Sequence, residues 1–175
     1  MSNIDFKKNI FTLSAELGVP FGIFLSLLMV SLVFFDKVPF LSTLALLLML
    51  AAPVVLCIFQ RKRFVALDGF ALYSDLWILA IFTTIGGSLI MVLATYLTIT
   101  YLRPEFLYEQ MRFFLDNASS IDSETADVLE KMISQRIMPS AIEFSMMMFW
   151  LSASLGCVGG AVTAFVAQKI PYKQH

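Results

Sequence analysis

The chain has 175 residues, 59% of them hydrophobic and 14% charged, with a formal net charge of −1 and a mean hydropathy of +0.83. Soluble domains are roughly 45–50% apolar and about 25% charged, so this composition excludes an ordinary soluble domain and indicates an integral membrane protein. The near-neutral charge argues against a nucleic-acid partner, which needs a clustered basic surface, and the length suits a single membrane domain, 1–175.

Four uncharged stretches reach the ~18–20 residues that cross a ~30 Å hydrocarbon core. The first, Leu17–Phe35, follows Lys7 and Lys8 as a signal-peptide core would. It exceeds the roughly 7–15 residues of such a core and runs into "VFFDKVPF" with no small-x-small cleavage site, so it reads as a retained anchor. Only "DKVP" (Asp36–Pro39) lies between Phe35 and Phe40, where the second stretch, Val38–Phe59, begins, which implies a tight helical hairpin with Pro39 in the first turn of the second helix. Pro53, inside that span, is expected to kink it.

Arg61, Lys62 and Arg63 close the second span. With the N-terminus cytoplasmic, the inner segments hold Lys7, Lys8, Arg61, Lys62, Arg63, Lys169 and Lys173 against Asp5, Glu16, Asp68 and Asp75. The outer segments dilute Lys37, Arg103, Arg112, Lys131 and Arg136 with most of the other acids. The positive-inside rule therefore places both termini and the basic triad in the cytoplasm. The triad reads first as a topology anchor. It is also a candidate contact for lipid headgroups or an acidic partner, since cations beside an anionic leaflet gain about 1 kcal/mol each. Asp68 and Gly69 suit a turn or a short re-entrant stretch after the triad.

The third span is expected over about 74–102 and carries Thr83, Gly86, Gly87 and Ser88. An outer segment, 103–139, follows. Pro104 suits a helix start; Glu105, Glu109, Arg112 and Asp116 then share one face and Leu107, Met111, Phe114 and Leu115 another. "NASS" (Asn117–Ser120) breaks this helix. A second begins near Asp122, a good N-cap, with Ala126, Leu129, Ile133 and Ile137 as its apolar stripe, and ends at Pro139. The expectation is an extracytoplasmic amphipathic hairpin that lies in the interface, caps the bundle or docks a partner. Phe113, Phe114 and Leu115 are its candidate docking anchors.

The fourth span, about 140–168, contains "LSASLGCVGGAVTAF", where Ser152, Gly156, Gly160 and Ala164 recur every four positions. Small residues at this spacing let helix backbones approach closely. Gly86, Gly87, Ser152, Gly156 and Gly160 are the candidate packing residues, within the chain or between copies. The expected fold is thus all-α: a polytopic membrane protein with four spans (about 17–35, 38–59, 74–102 and 140–168) and an outer hairpin between the third and fourth.

The chemistry-bearing residues are sparse. Glu16, Asp75 and Glu143 stand at span ends, the last on the opposite side from the other two, so they read as solvated or helix-capping groups rather than an acid–base pair. Cys57 and Cys157 lie far apart inside apolar runs, and the sole histidine is His175, so no metal or cofactor is expected. No nucleophile motif or phosphate loop occurs, and no charge stands mid-span as in proton-coupled transporters.

The order of four spans, the "QRKR" and "ALDGF" before the third, "YLRPEFL" after it, then "MPSAIEF" and a glycine-bearing last span ending in "KIP" resembles the small bacterial membrane-protein family known as domain of unknown function 4199, found mainly in Bacteroidetes. The resemblance covers nearly the whole chain. It implies this fold and an inner-membrane location, and it hints at companionship with membrane-associated glycosyltransferases. The expected role is an accessory or scaffold protein, not an enzyme, whose partners are membrane lipids and a protein or a second copy of itself. The alternatives are a small transporter or channel subunit, with Thr83, Thr84, Ser88, Thr95, Thr98 and Thr100 as a faint polar stripe, and an enzyme on a lipid-linked substrate.

Overall fold

A computed structural model of the chain describes residues 5–118, 131 and 139–170, with the side chains of Leu115, Asn117 and Ala118 outside that description. It contains four long helices, α1 (Ile10–Val33), α2 (Pro39–Ala66), α3 (Tyr73–Leu97, extended by a π turn, Thr98–Leu102) and α5 (Ala141–Lys169), and the shorter α4 (Phe106–Ala118). The four long ones are each apolar and long enough to cross a membrane. The second helix expected in the outer hairpin, from Asp122 onward, lies outside the described residues apart from the exposed, helical Lys131.

Local chemistry sets the helix ends. Asn9 accepts the Phe11 N–H at 3.1 Å and starts α1 well before its uncharged run, satisfying one of the orphan donors of a first turn. Pro39 opens α2. α2 runs on through Arg61–Arg63, so the basic triad belongs to its last turns rather than to a loop. It stops at a backbone reversal in which Gly69 N–H reaches Phe64 O (3.0 Å) and Asp68 N–H reaches Val65 O (3.0 Å). Asp68 and Gly69 there adopt φ of 53° and 82°, the left-handed region that Asp tolerates and Gly occupies freely. α5 begins with a reciprocal box: Ser140 N–H donates to Glu143 Oε2 (2.7 Å) and Glu143 N–H to Ser140 Oγ (3.3 Å). Glu143 is accordingly a helix cap.

α3 is the central helix, packed along α1 on one side and α5 on the other. α2 leans across α1 and α5 and touches α3 least. Within the most apolar window of each span, 44% of the residues of α1 and α3 are buried, against 22% in α5 and 11% in α2, so α2 and α5 turn most of their surface outward. A core of Phe21, Leu25, Met29, Leu56 and Met91 fills the middle of the bundle. A second cluster, with Leu76, Ala164 and Ala167, lies at the end of the bundle that carries the N-terminus, and a third, with Val33, Ile99 and Phe106, at the end that carries the α1–α2 hairpin.

Candidate functional site

Among the described residues, polar side-chain contacts gather in three places: a seam between α3 and α5, a clasp at the end of the bundle that carries the α1–α2 hairpin and a set of ties at the end that carries the N-terminus. The seam follows from residue size. Along α5, Ser152, Gly156 and Gly160 meet Ser88, Thr84 and Ala80 of α3. Ser88 Oγ donates to Ser152 Oγ at 2.8 Å, and a Cβ added at Gly156 would fall 2.2 Å from Thr84 Cγ2, or at Gly160 2.7 Å from Ala80 Cβ. On the other side of α3, a Cβ at Gly18 would lie 3.5 Å from the Gly86 backbone and one at Gly87 3.1 Å from the Gly22 backbone N. Gly86 and Gly87 therefore serve α1, not α5, so the candidate packing residues divide between two interfaces inside one chain. Gly18 and Gly22, unremarked in the sequence, complete the α1–α3 interface. Their four-residue spacing was the available signal.

At the hairpin end of the bundle, Arg103 is 6% exposed. Arg103 N–H closes the π turn on Thr98 O (2.9 Å). That turn widens the helix by one residue and directs the following backbone toward the α1–α2 hairpin. Its guanidinium donates through both terminal nitrogens to the Asp36 carboxylate, and also to Val33 O and to Glu109 on α4. The rings of Phe34 and Phe106 lie 6.0 and 5.3 Å from it. Lys37 Nζ reaches Glu109 at 3.3 Å. Hydrogen bonding from Arg103 holds the Asp36 carboxyl below the usual carboxylate range. The same donor, followed by Lys37, does so for Glu109, while the Asp36 carboxylate raises the guanidinium pKa further. One arginine thus joins the end of α1, the hairpin, the end of α3 and the first turns of α4.

The clasp divides α4. Phe106 is buried against Val33 and Ile99, whereas Phe113 and Phe114 are 59% and 60% exposed and meet edge to face, 6.3 Å apart. The Leu115 side chain lies outside the described residues. The helix is therefore fastened at its start, while the rings of Phe113 and Phe114 further along it are exposed.

At the N-terminal end of the bundle the basic triad splits. Arg63 is buried and donates to the backbone carbonyls of Phe6 and of Lys8 (2.7 Å for the latter), fixing the segment before α1. Arg61 donates to Ala167 O (3.1 Å) on α5 and lies 5.2 Å from the Phe64 ring. Lys62 stays exposed, 5.8 Å from the Phe6 ring. The preceding Gln60 is fully buried, and its Nε2 donates to Leu76 O (3.1 Å) and Gly160 O (2.9 Å). Trp77 Nε1–H donates to Cys157 O (2.9 Å), Tyr73 Oη to Ala161 O (3.1 Å) and Gln168 Nε2 to Ala71 O (3.1 Å). Sequence reasoning missed Gln60, because a glutamine beside three cations looks like a boundary residue. Among the described residues no three His, Cys, Asp or Glu side chains are grouped to hold a metal.

These features define an all-α, multi-pass membrane protein of four spans whose polar groups tie the two ends of the bundle. Residues 16–169 match the family described as Protein of unknown function (DUF4199), and the chain belongs to that family. No curated protein and no solved structure matches it.

Proposed function

We propose that this is a non-catalytic accessory or scaffold protein of the bacterial inner membrane, with both termini cytoplasmic, that docks a component of the envelope machinery through α4. Membrane-associated glycosyltransferases are the partner class that the resemblance suggests. The observation that carries the reading is the division of α4: Phe106 and Glu109 fasten its first turns, while Phe113 and Phe114 stand exposed beside Arg112 and Asp116. Aromatics supply contact energy at interfaces and flanking charges select the partner. A transport role has less support, because three of the six hydroxyls that would line a path are already engaged. Thr95 and Thr98 donate to Met91 O (2.8 Å) and Ala94 O (2.7 Å), and Ser88 is joined to Ser152.

Two measurements test this. In a Cys57/Cys157-free background, cysteines placed at positions 62 and 112 are treated with an impermeant maleimide in spheroplasts. Position 112 is expected to label and position 62 to be protected; the reverse pattern would invert the topology. A photo-crosslinking residue at position 114 is then expected to give a discrete protein adduct that Phe113→Ala weakens. Phe114→Ala itself leaves the thermal midpoint in detergent unchanged, whereas Phe106→Ala lowers stability by about 3–5 kcal/mol, as for a buried aromatic. A Phe114→Ala protein that is destabilised yet keeps its full adduct yield at neighbouring positions would make α4 a cap for its own bundle.

A further inference from the structure

The inner end carries a second surface with different chemistry. Three separate segments meet there at one level: the residues before α1, tied by Arg63 to Phe6 O and Lys8 O; the last turns of α2; and the end of α5, tied by Arg61 to Ala167 O at 3.1 Å. Around the rim stand Lys7, Lys62 and Lys169, all exposed. Lys62 Nζ and Lys169 Nζ each sit beside an aromatic ring, Phe6 at 5.8 Å and Phe165 at 5.5 Å. Lys62 lies about 35 Å along α2 from its outer end at ~1.5 Å per residue, just past a hydrocarbon core of ~30 Å. With Pro39 at the opposite hydrocarbon boundary, this sets Lys62 at about the level of the phosphate groups. The α2–α3 loop that follows presents Phe70, 85% exposed, and Leu72, 66% exposed. Two large apolar side chains exposed next to the reversal at Asp68 and Gly69 suit the boundary between headgroups and acyl chains.

Asp5, Glu16, Asp68 and Asp75 also stand on this face, against Lys7, Lys8, Arg61, Lys62, Arg63 and Lys169, so the cations keep an excess. Glu16 is engaged by Lys8 at 2.6 Å, Asp5 receives the Lys7 backbone N–H at 2.9 Å, and Asp68 sits at the backbone reversal.

We propose that this inner face is a binding site for an anionic phospholipid: Lys62 and Lys169, with Lys7, engage the headgroup phosphate, and Phe70 and Leu72 embed at the acyl boundary. Arg61 and Arg63 position the three segments through their carbonyl contacts. Of the triad suggested by the sequence, Lys62 is the member that meets the lipid. The site is independent of the docking role of α4.

The test uses the full chain reconstituted in nanodiscs of phosphatidylcholine and phosphatidylglycerol, with the lipids retained on gentle detergent release counted by native mass spectrometry. Phosphatidylglycerol is expected to be retained several-fold above its bulk share, and high salt should abolish the excess by screening. Lys62→Gln combined with Lys169→Gln should remove most of it, as should Phe70→Ser with Leu72→Ser, both with an unchanged thermal midpoint; Lys62→Gln alone should remove part. Inorganic phosphate should not compete, because it lacks the acyl chains that hold Phe70 and Leu72. Retention of the two lipids in bulk proportion overturns the proposal, as does an excess indifferent to the lysine variants. Full competition by inorganic phosphate would assign the surface to a soluble phosphate instead.

Discussion

Replacing Arg103 by leucine is expected to loosen the hairpin end of the bundle by about 3 kcal/mol while leaving the four spans folded. Removing one partner of a buried ion pair costs roughly 3–5 kcal/mol, because the other is left uncompensated. The lower end applies here because the Asp36 and Glu109 side chains are each 34% exposed and regain water. The loss is local: Arg103 joins Val33 O, Asp36 and Glu109, and none of these lies in the central core. Hydrogen exchange should therefore rise in the hairpin and across 103–118, with α1 and α3 mid-span amides unchanged. Loss of protection throughout the bundle would show that the clasp is part of the global fold. The same site is linked to acid. Both carboxyls are held below their ordinary range by Arg103, so their folded-state pKa values lie beneath the unfolded ones. The stabilisation is complete above the unfolded range near pH ~4 and is lost as pH falls through the lowered folded values. Protection of 103–118 in the wild type should accordingly fall below about pH 4. Arg103→Leu, which is already loosened, should show little further acid-linked loss.

Gly156→Ala should cost close to 3 kcal/mol, the upper part of the range for overpacking, although alanine is the better helix former. Its Cβ would fall 2.2 Å from Thr84 Cγ2 and 2.6 Å from Thr84 Cβ. That second atom is fixed to the α3 backbone and cannot swing aside, so α3 and α5 must separate. The Ser88–Ser152 bond one turn away, 2.8 Å long, should lengthen with them. Thr84→Ala, which removes the nearest atom, should recover part of the loss as a non-additive double variant. Gly159→Ala provides the contrast: nothing lies within 4 Å of its added Cβ, so stability should hold or rise slightly. Thermal unfolding in detergent reads all three. Equal midpoints for Gly156→Ala and Gly159→Ala would mean that the α3–α5 seam gives way without cost.

Much of the fold follows from the one-dimensional sequence. Runs such as Leu76–Leu102 and Phe144–Gln168 leave the chain no choice but to satisfy its backbone within helices in a medium without water. The boundaries were less legible. Asn9 starts α1 several residues before Leu17, and α2 continues past Phe59 through Arg63, because caps and local hydrogen bonds, not hydropathy, decide where a helix begins and ends. The four-residue repeat of Ser152, Gly156 and Gly160 announced a close contact, and Pro39, Asp68 and Gly69 announced turns.

Partnership was decided by the tertiary structure. Nothing in the sequence joins Asp36 to Arg103 or Arg103 to Glu109, since the π turn at Thr98–Leu102 and the folding back of α4 bring them together. Nor could periodicity assign Gly86 and Gly87 to Gly18 and Gly22 rather than to α5. Three adjacent cations looked alike as letters, yet Arg63 is buried on carbonyls, Arg61 is tied to α5 and Lys62 stays at the surface. The physical reason is that span formation depends on each residue's own transfer energy, which is additive along the chain. Pairing depends on distances between helices, and these exist only once the bundle has packed.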